Sequence, residues 1–155
     1  MRASEAGYSI TELALVMAIV AIMAALATPS FLTYYQASRL HAAAEEVAAF
    51  INQGRQIGIR ENVGVCVHNT PTAMHYHIGN CTEATTKWIG PGTDAAGNIA
   101  LPDGITLKLN DLANPPLFSY LGNAVPAATY TVRNEQTLAT LQVVVAASGR
   151  VSIGP

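Results

Sequence analysis

From Leu13 to Ala27 the chain reads LALVMAIVAIMAALA, without one polar side chain. Extending the run back to Ile10 and on to Leu32 admits only Thr11, Glu12, Thr28, Pro29 and Ser30. A helix needs about 20 mostly apolar residues to cross a bilayer core about 30 Å thick, so this segment is long enough. Leu, Ala, Met and Ile dominate and no glycine interrupts, so a helix can satisfy its own backbone in lipid. The run accounts for an unusual composition: of 155 residues, 50% are hydrophobic and 12% charged, with a formal net charge of −2. A soluble domain usually carries about 25% charged residues. Disorder is excluded, because disordered chains combine low hydrophobicity with high charge. Eight Lys and Arg in all argue against a broad basic surface for nucleic acid. The length leaves room for one domain.

Glu12 decides between three readings of the apolar segment. A secretory signal has a basic start, a short apolar core and a cleavage site after that core, whereas here Arg2 is offset by Glu5 and Glu12 lies inside the apolar region. A plain membrane anchor avoids such an acid, since an ionised carboxylate at depth costs about 2.5–3.5 kcal/mol. A cut before the apolar core, after Gly7, explains it: the new cationic amine on Tyr8 stands four residues from Glu12. Gly7-Tyr8-Ser9-Ile10-Thr11-Glu12-Leu13 and the run behind it resemble the class III leader of type IV pilins and type II secretion pseudopilins. The resemblance implies that a prepilin peptidase cuts after Gly7 and methylates Tyr8. It also implies that Glu12 docks the subunit into a growing filament, and that Ala27-Thr28-Pro29-Ser30-Phe31 is a helix-breaking proline segment. Tyr8 stands where Phe is commoner, and Glu5 dilutes the usual positive leader.

After Pro29, which lacks an N–H and is expected to kink or locally melt the helix, residues from Phe31 to about Arg60 are again helical in character. Val47, Phe50, Ile51, Gly54 and Ile57 recur at steps of three and four and mark a face that packs on a sheet. Gly54 and Gly58 each cost about 1 kcal/mol relative to Ala, which close approach of backbone to the head would offset. Beyond Arg60 the period becomes two. Val63, Val65 and Val67 alternate with polar or small residues, as do Met74, Tyr76 and Ile78, around an Asn69-Thr70-Pro71 turn, giving a hairpin. Residues 91–97 read as a loop. Strands are expected at Ile105–Leu109, Phe118–Leu121, Ala128–Arg133, Leu138–Ala146 and Val151–Ile153. The fold class is α+β: a long N-terminal helix, transmembrane then amphipathic, packed on a small antiparallel β-sheet head. The expected divisions are a leader at 1–7, a membrane or filament-core helix at 8–29, its amphipathic continuation at 30–60 and the head at 61–155. The order Arg60, the strand with Cys66, then Cys81 and Trp88, with the ending Val143-Val144-Val145 through Ser148-Gly149-Arg150-Val151, resembles the GspH/FimT branch of minor pilins and pseudopilins.

That resemblance places the head in an oxidising periplasm, where Cys66 and Cys81 are expected to form a disulfide. Free thiols and a redox-active pair are the alternatives, the latter disfavoured because the spacing is not C-x-x-C. Cys66, His68, His75 and His77 share one face of the expected hairpin. Together with Cys81 they offer zinc-type ligands, but at no standard zinc spacing, so a solvated polar sheet face is expected and no metal or other cofactor. His41 has no evident partner. No nucleophile elbow, P-loop or dinucleotide fingerprint is present, and Asp94, Asp103 and Asp111 sit in turn-like contexts, so the chain is read as a non-enzyme. In some pilus members of the branch it resembles, a Gly-Arg-x-Arg ending is associated with DNA binding during natural transformation. Here Gly149-Arg150-Val151-Ser152 lacks the second arginine, leaving Arg150 as a candidate DNA contact or as an exposed turn residue. The expected role is a structural minor pilin or pseudopilin in the bacterial inner membrane and at a filament tip. Its partners are other pilins and the prepilin peptidase; the alternative is a DNA-binding minor pilin in natural transformation.

Overall fold

The computed structural model describes residues 9–81 and 87–155; the leader at 1–7 and Tyr8 lie outside them. The chain divides into two compact units at the Gln36–Ala37 boundary. Helix α1 spans Ile10–Glu61. It is followed by β1 (Val65–Asn69), β2 (Ala73–Ile78), β3 (Asn98–Ala100), β4 (Ile105–Leu109), β5 (Leu117–Phe118), β6 (Ala124–Val125), β7 (Ala128–Asn134), β8 (Thr140–Val145) and β9 (Val151–Gly154).

The expected local melting at Pro29 does not occur, for α1 runs through it. Proline has no N–H for the carbonyl one turn back, but the neighbouring side chains supply bonds of their own. Thr28 Oγ1 donates to the Ala24 carbonyl at 2.7 Å, and Thr33 Oγ1 donates to the Pro29 carbonyl at 3.1 Å. Neither hydroxyl reaches the Ala25 carbonyl that Pro29 leaves without its intrahelical N–H, so the helix continues with one backbone bond fewer. The helix ends instead at Asn62, whose φ of 55° is left-handed. There the Val63 N–H reaches back to the Gly58 carbonyl at 3.1 Å, the bond of a Schellman cap. This cap removes Val63 from the expected first strand, which begins at Val65.

The head holds two antiparallel sheets, not one: β3-β2-β1-β5-β6 and β4-β7-β8-β9. The β1–β2 hairpin has the expected facing pairs, with His68 opposite His75 and Cys66 opposite His77. Strand limits differ locally. Asn98–Ala100 is a strand too short to show a period, and the expected Phe118–Leu121 strand stops at Phe118. Its continuation is a turn in which the Ser119 N–H donates to the Asn123 carbonyl at 2.9 Å and the Gly122 N–H to the Ser119 carbonyl at 2.8 Å.

Within the second unit, Leu40, Ala43, Ala44, Val47, Phe50, Ile51, Gly54, Ile57 and Gly58 form the buried helical stripe. Val65, Val67, Met74, Tyr76 and Phe118 of the first sheet and Leu107, Tyr130, Val132, Val143 and Val145 of the second complete the core. Two tyrosines bolt it together: Tyr76 donates to the Phe50 carbonyl at 2.6 Å and stacks on Phe50 at 4.1 Å, and Tyr130 donates across to the Val67 carbonyl at 3.0 Å. Gly54 provides the close approach expected of it. A Cβ there would stand 2.8 Å from Tyr76 Cε1, so only glycine lets the helix backbone reach the ring.

Candidate functional site

Glu12 lies in the first turn of α1. Its Oε2 accepts the Ser9 N–H at 3.3 Å, while Ser9 Oγ accepts the Thr11 N–H at 3.4 Å. The Leu13 N–H closes on the Ser9 carbonyl at 3.1 Å. Ser9 is therefore the N-cap and Glu12 the reciprocal acid of a capping box, with its charge at the positive end of the helix dipole. The pattern Ser9-Ile10-Thr11-Glu12, a serine followed three residues later by glutamate at the start of an apolar run, is the sequence signal for this arrangement. Glu12 thus has a local role besides any partner it meets.

Behind it the apolar side chains are exposed around the whole helix. From Ile10 to Tyr35 the large ones show 50% to 86% of their surface. A helix apolar on every side is stable only in lipid or among other helices. Ala14, Ala18, Ala21 and Ala25 recur at steps of four, three and four, the kind of spacing at which helices approach closely in membranes.

In the head, Cys66 and Cys81 are joined by a disulfide across a sequence separation of 15. The expectation of a solvated face around it is corrected. Cys66 is fully buried and His77 is 2% exposed. Cys81 is tied down onto this face, and the Pro115 carbonyl oxygen lies 3.9 Å from Cys66 Sγ and 3.5 Å from Cys81 Sγ. His68, His75 and His77 pack ring on ring, with centroids 4.7–5.4 Å apart. A ring nitrogen of His68 stands within 4.8 Å of both sulfurs. Thiolates bind metals, however, and the disulfide leaves neither sulfur as a thiolate. Replacing both Cys66 and Cys81 by Ala is expected to lower stability by about 3 kcal/mol, the chain-entropy value for a loop of this length. Urea unfolding of the detergent-solubilised chain measures it.

Burial holds His75 down at about 4, helped by the nearby Lys87 and by His77 and His68. The unfolded chain, at the ordinary histidine value of 6.5, binds the proton first. The stability contributed by a neutral His75 is therefore intact above about pH 6.5 and is lost as the pH falls toward about 4. His75→Gln is expected to flatten that part of the stability profile. An unchanged acid limb in the variant would remove His75 as its cause.

Arg150 is exposed in the β8–β9 turn, far in sequence from the disulfide. The residue beside it has the structural role. Gly149 is buried with φ +78°, packed on Gly122 and Arg55, and Arg55 Nε donates to the Gly122 carbonyl at 2.9 Å. This junction joins the helix to the β5–β6 and β8–β9 turns. Nothing local in the sequence marks it, because its three residues are widely separated.

No protein-family model matches the chain, and no curated protein matches it. Among solved structures the fold is similar to the type IV minor pilin FimU of Pseudomonas aeruginosa, with a TM-score of 0.57 and 17% identity over 79% of this chain and 92% of that one. The minor pseudopilin EpsH from the type 2 secretion system of Vibrio cholerae gives 0.57 and 11% over 74% and 95%. GspH of Escherichia coli gives 0.56 and 14% over 75% and 87%. The fold of this chain is the pilin fold: one long N-terminal apolar helix with antiparallel sheets.

Proposed function

We propose that this chain is a structural, non-enzymatic minor subunit of a pilin-type filament, held in the bacterial inner membrane by residues 13–27 with its head in the periplasm. The observation that carries the reading is the helix itself: apolar on every side, exposed along its length, and opened by one carboxylate in its first turn. Such a surface demands lipid first and other helices later, which is the path of a subunit extracted from a membrane into a filament core. The minor pilin and pseudopilin identities of the similar structures support this reading, as does the disulfide, which belongs to an oxidising compartment. The subunit helps to initiate or cap a type IV pilus or a type II secretion pseudopilus, with other pilins as partners.

Processing by a prepilin peptidase is tested by mass spectrometry of the native protein. A chain beginning at N-methylated Tyr8 is expected; one beginning at Met1, or lacking the apolar segment, overturns the reading. The DNA-uptake alternative rests on Arg150 alone. Phosphate binding scales with the number of cations engaged, so Arg150→Ala is expected to leave DNA retention at low salt unchanged.

A further inference from the structure

Three of the four histidines stand together on one face of the head, and the filament reading assigns them no role. In the β1–β2 hairpin Cys66 faces His77 and His68 faces His75. Side chains alternate across a strand, so these four share one side, while Val65, Val67, Met74 and Tyr76 enter the core on the other. Cys81, just past β2, closes over this square, its Cα 5.2 Å from that of Cys66. A ring nitrogen of His68 and both sulfurs lie within 4.8 Å of one another. The His77 ring is tilted at 52° to that of His68, with its centroid 4.7 Å away.

Tetrahedral zinc holds thiolate sulfur at about 2.3 Å and imidazole nitrogen at about 2.0–2.1 Å, which sets its ligand atoms about 3.3–3.8 Å apart. Ligand atoms already gathered within 4.8 Å reach that spacing by side-chain rotation once the sulfur–sulfur bond is open. Charge favours the ion as well. The Pro115 carbonyl beside both sulfurs, at 3.9 and 3.5 Å, accepts hydrogen bonds and offers no proton to a thiolate. Buried charge has to be paired, and two thiolates with one divalent cation sum to zero. Access is from the outer side, for Cys66 is fully buried whereas Cys81 and His68 are half-buried.

We infer that the reduced head binds one zinc ion through Cys66, Cys81, His68 and His77, and that metal and disulfide are alternative occupants of the same two sulfurs. Zinc holds Cys81 on the hairpin before oxidation. Closing the bridge passes two electrons from the thiolates to a disulfide-bearing oxidant, whose own sulfurs leave as thiols with two protons from solvent. The bond between Cys66 and Cys81 forms and the ion departs, because neither sulfur is then a thiolate. Zinc is therefore the occupant where thiols are kept reduced and the disulfide where they are oxidised. The site has no zinc signature in the sequence because its ligands come from two strands and a loop. The inference does not depend on the filament reading.

Cobalt reports the ligands directly. The full-length chain in detergent, reduced and given Co2+, is expected to show a thiolate-to-cobalt charge-transfer band and the intense visible bands of a tetrahedral ion, both lost when Zn2+ is added. The reduced chain is expected to bind zinc roughly a hundredfold more tightly than the oxidised chain, and bound zinc is expected to slow alkylation of Cys66 and Cys81. His68→Ala is expected to weaken binding at least about tenfold, and His41→Ala, on the helix, to leave it unchanged. Equal zinc binding by oxidised and reduced chains overturns the inference, as does a reduced chain without the charge-transfer band. Equal affinities for His68→Ala and His41→Ala also overturn it, since a loosened chain with two thiols would bind zinc without that histidine.

Discussion

Replacing Glu12 by alanine is expected to remove the protein from sheared filaments while leaving it in the membrane fraction. Insertion tolerates the change, since taking out an acid that costs about 2.5–3.5 kcal/mol at depth only favours lipid. Incorporation is expected to fail if Glu12 meets an N-terminal amine in the filament, because removing one member of a poorly solvated charge pair costs about 3–5 kcal/mol. At 1.4 kcal/mol per factor of ten, that is a loss of about a hundredfold or more. The capping box makes a second variant informative. Glutamine at this position still accepts the Ser9 N–H, and Gln serves in capping boxes as Glu does. If Glu12 acts only by starting the helix, Glu12→Gln restores incorporation. If it acts by meeting an ammonium group, Glu12→Gln fails nearly as badly as Glu12→Ala. Immunoblots of filament and membrane fractions separate these outcomes, and normal recovery of Glu12→Ala would end the charge-pair proposal.

The second large effect is in the head. Gly149→Ala is expected to destabilise it by about 3–5 kcal/mol, in the range reserved for steric or network failures. Two costs add. A side chain in the left-handed region costs about 1–2 kcal/mol, and Gly149 has φ +78°. The new methyl would also overlap the Gly122 carbonyl oxygen, a backbone atom, and crowd Arg55 Nε at 3.1 Å. The bond from Arg55 to that carbonyl is then strained or lost, and hydrogen bonds of charged groups are worth about 1.5–3 kcal/mol. Gly104→Ala is the control: its φ of +76° carries the same conformational cost, but a Cβ there meets nothing within 4 Å. Denaturation of both variants is expected to place Gly149→Ala at least about 2 kcal/mol below Gly104→Ala. Equal losses would mean that the turn yields and the junction is soft. Its exposed neighbour Arg150 is expected to be nearly silent on replacement by alanine in the same measurement, since exposed positions usually shift stability by less than about 0.5 kcal/mol.

What could be read from the chain alone were features whose physics is local. The apolar run from Ile10 to Leu32 states a helix long and apolar enough to cross a membrane. The alternation at Val65–Val67, Met74–Ile78 and Ile105–Leu109 states a strand with one buried face, because the pleat has a period of two. Ser9 and Glu12 state a helix start, being only three residues apart. Pro29 shows where a local rule gives way: the rule concerns one missing N–H, and the remaining bonds of a 52-residue helix carry the chain through it.

The remaining features depend on residues distant in sequence meeting in space. The division of the strands into two sheets, the covering of the histidine face by Cys81 and Pro115, and the convergence of Arg55, Gly122 and Gly149 involve separations that no window of periodicity spans. By itself the sequence determined the apolar helix, its acid and the α+β class, since hydrophobic run length and side-chain period act within a few residues. Tertiary structure alone decided which backbone groups found partners and which glycine could not be replaced, because those outcomes depend on what packs against each atom, not on its neighbours along the chain.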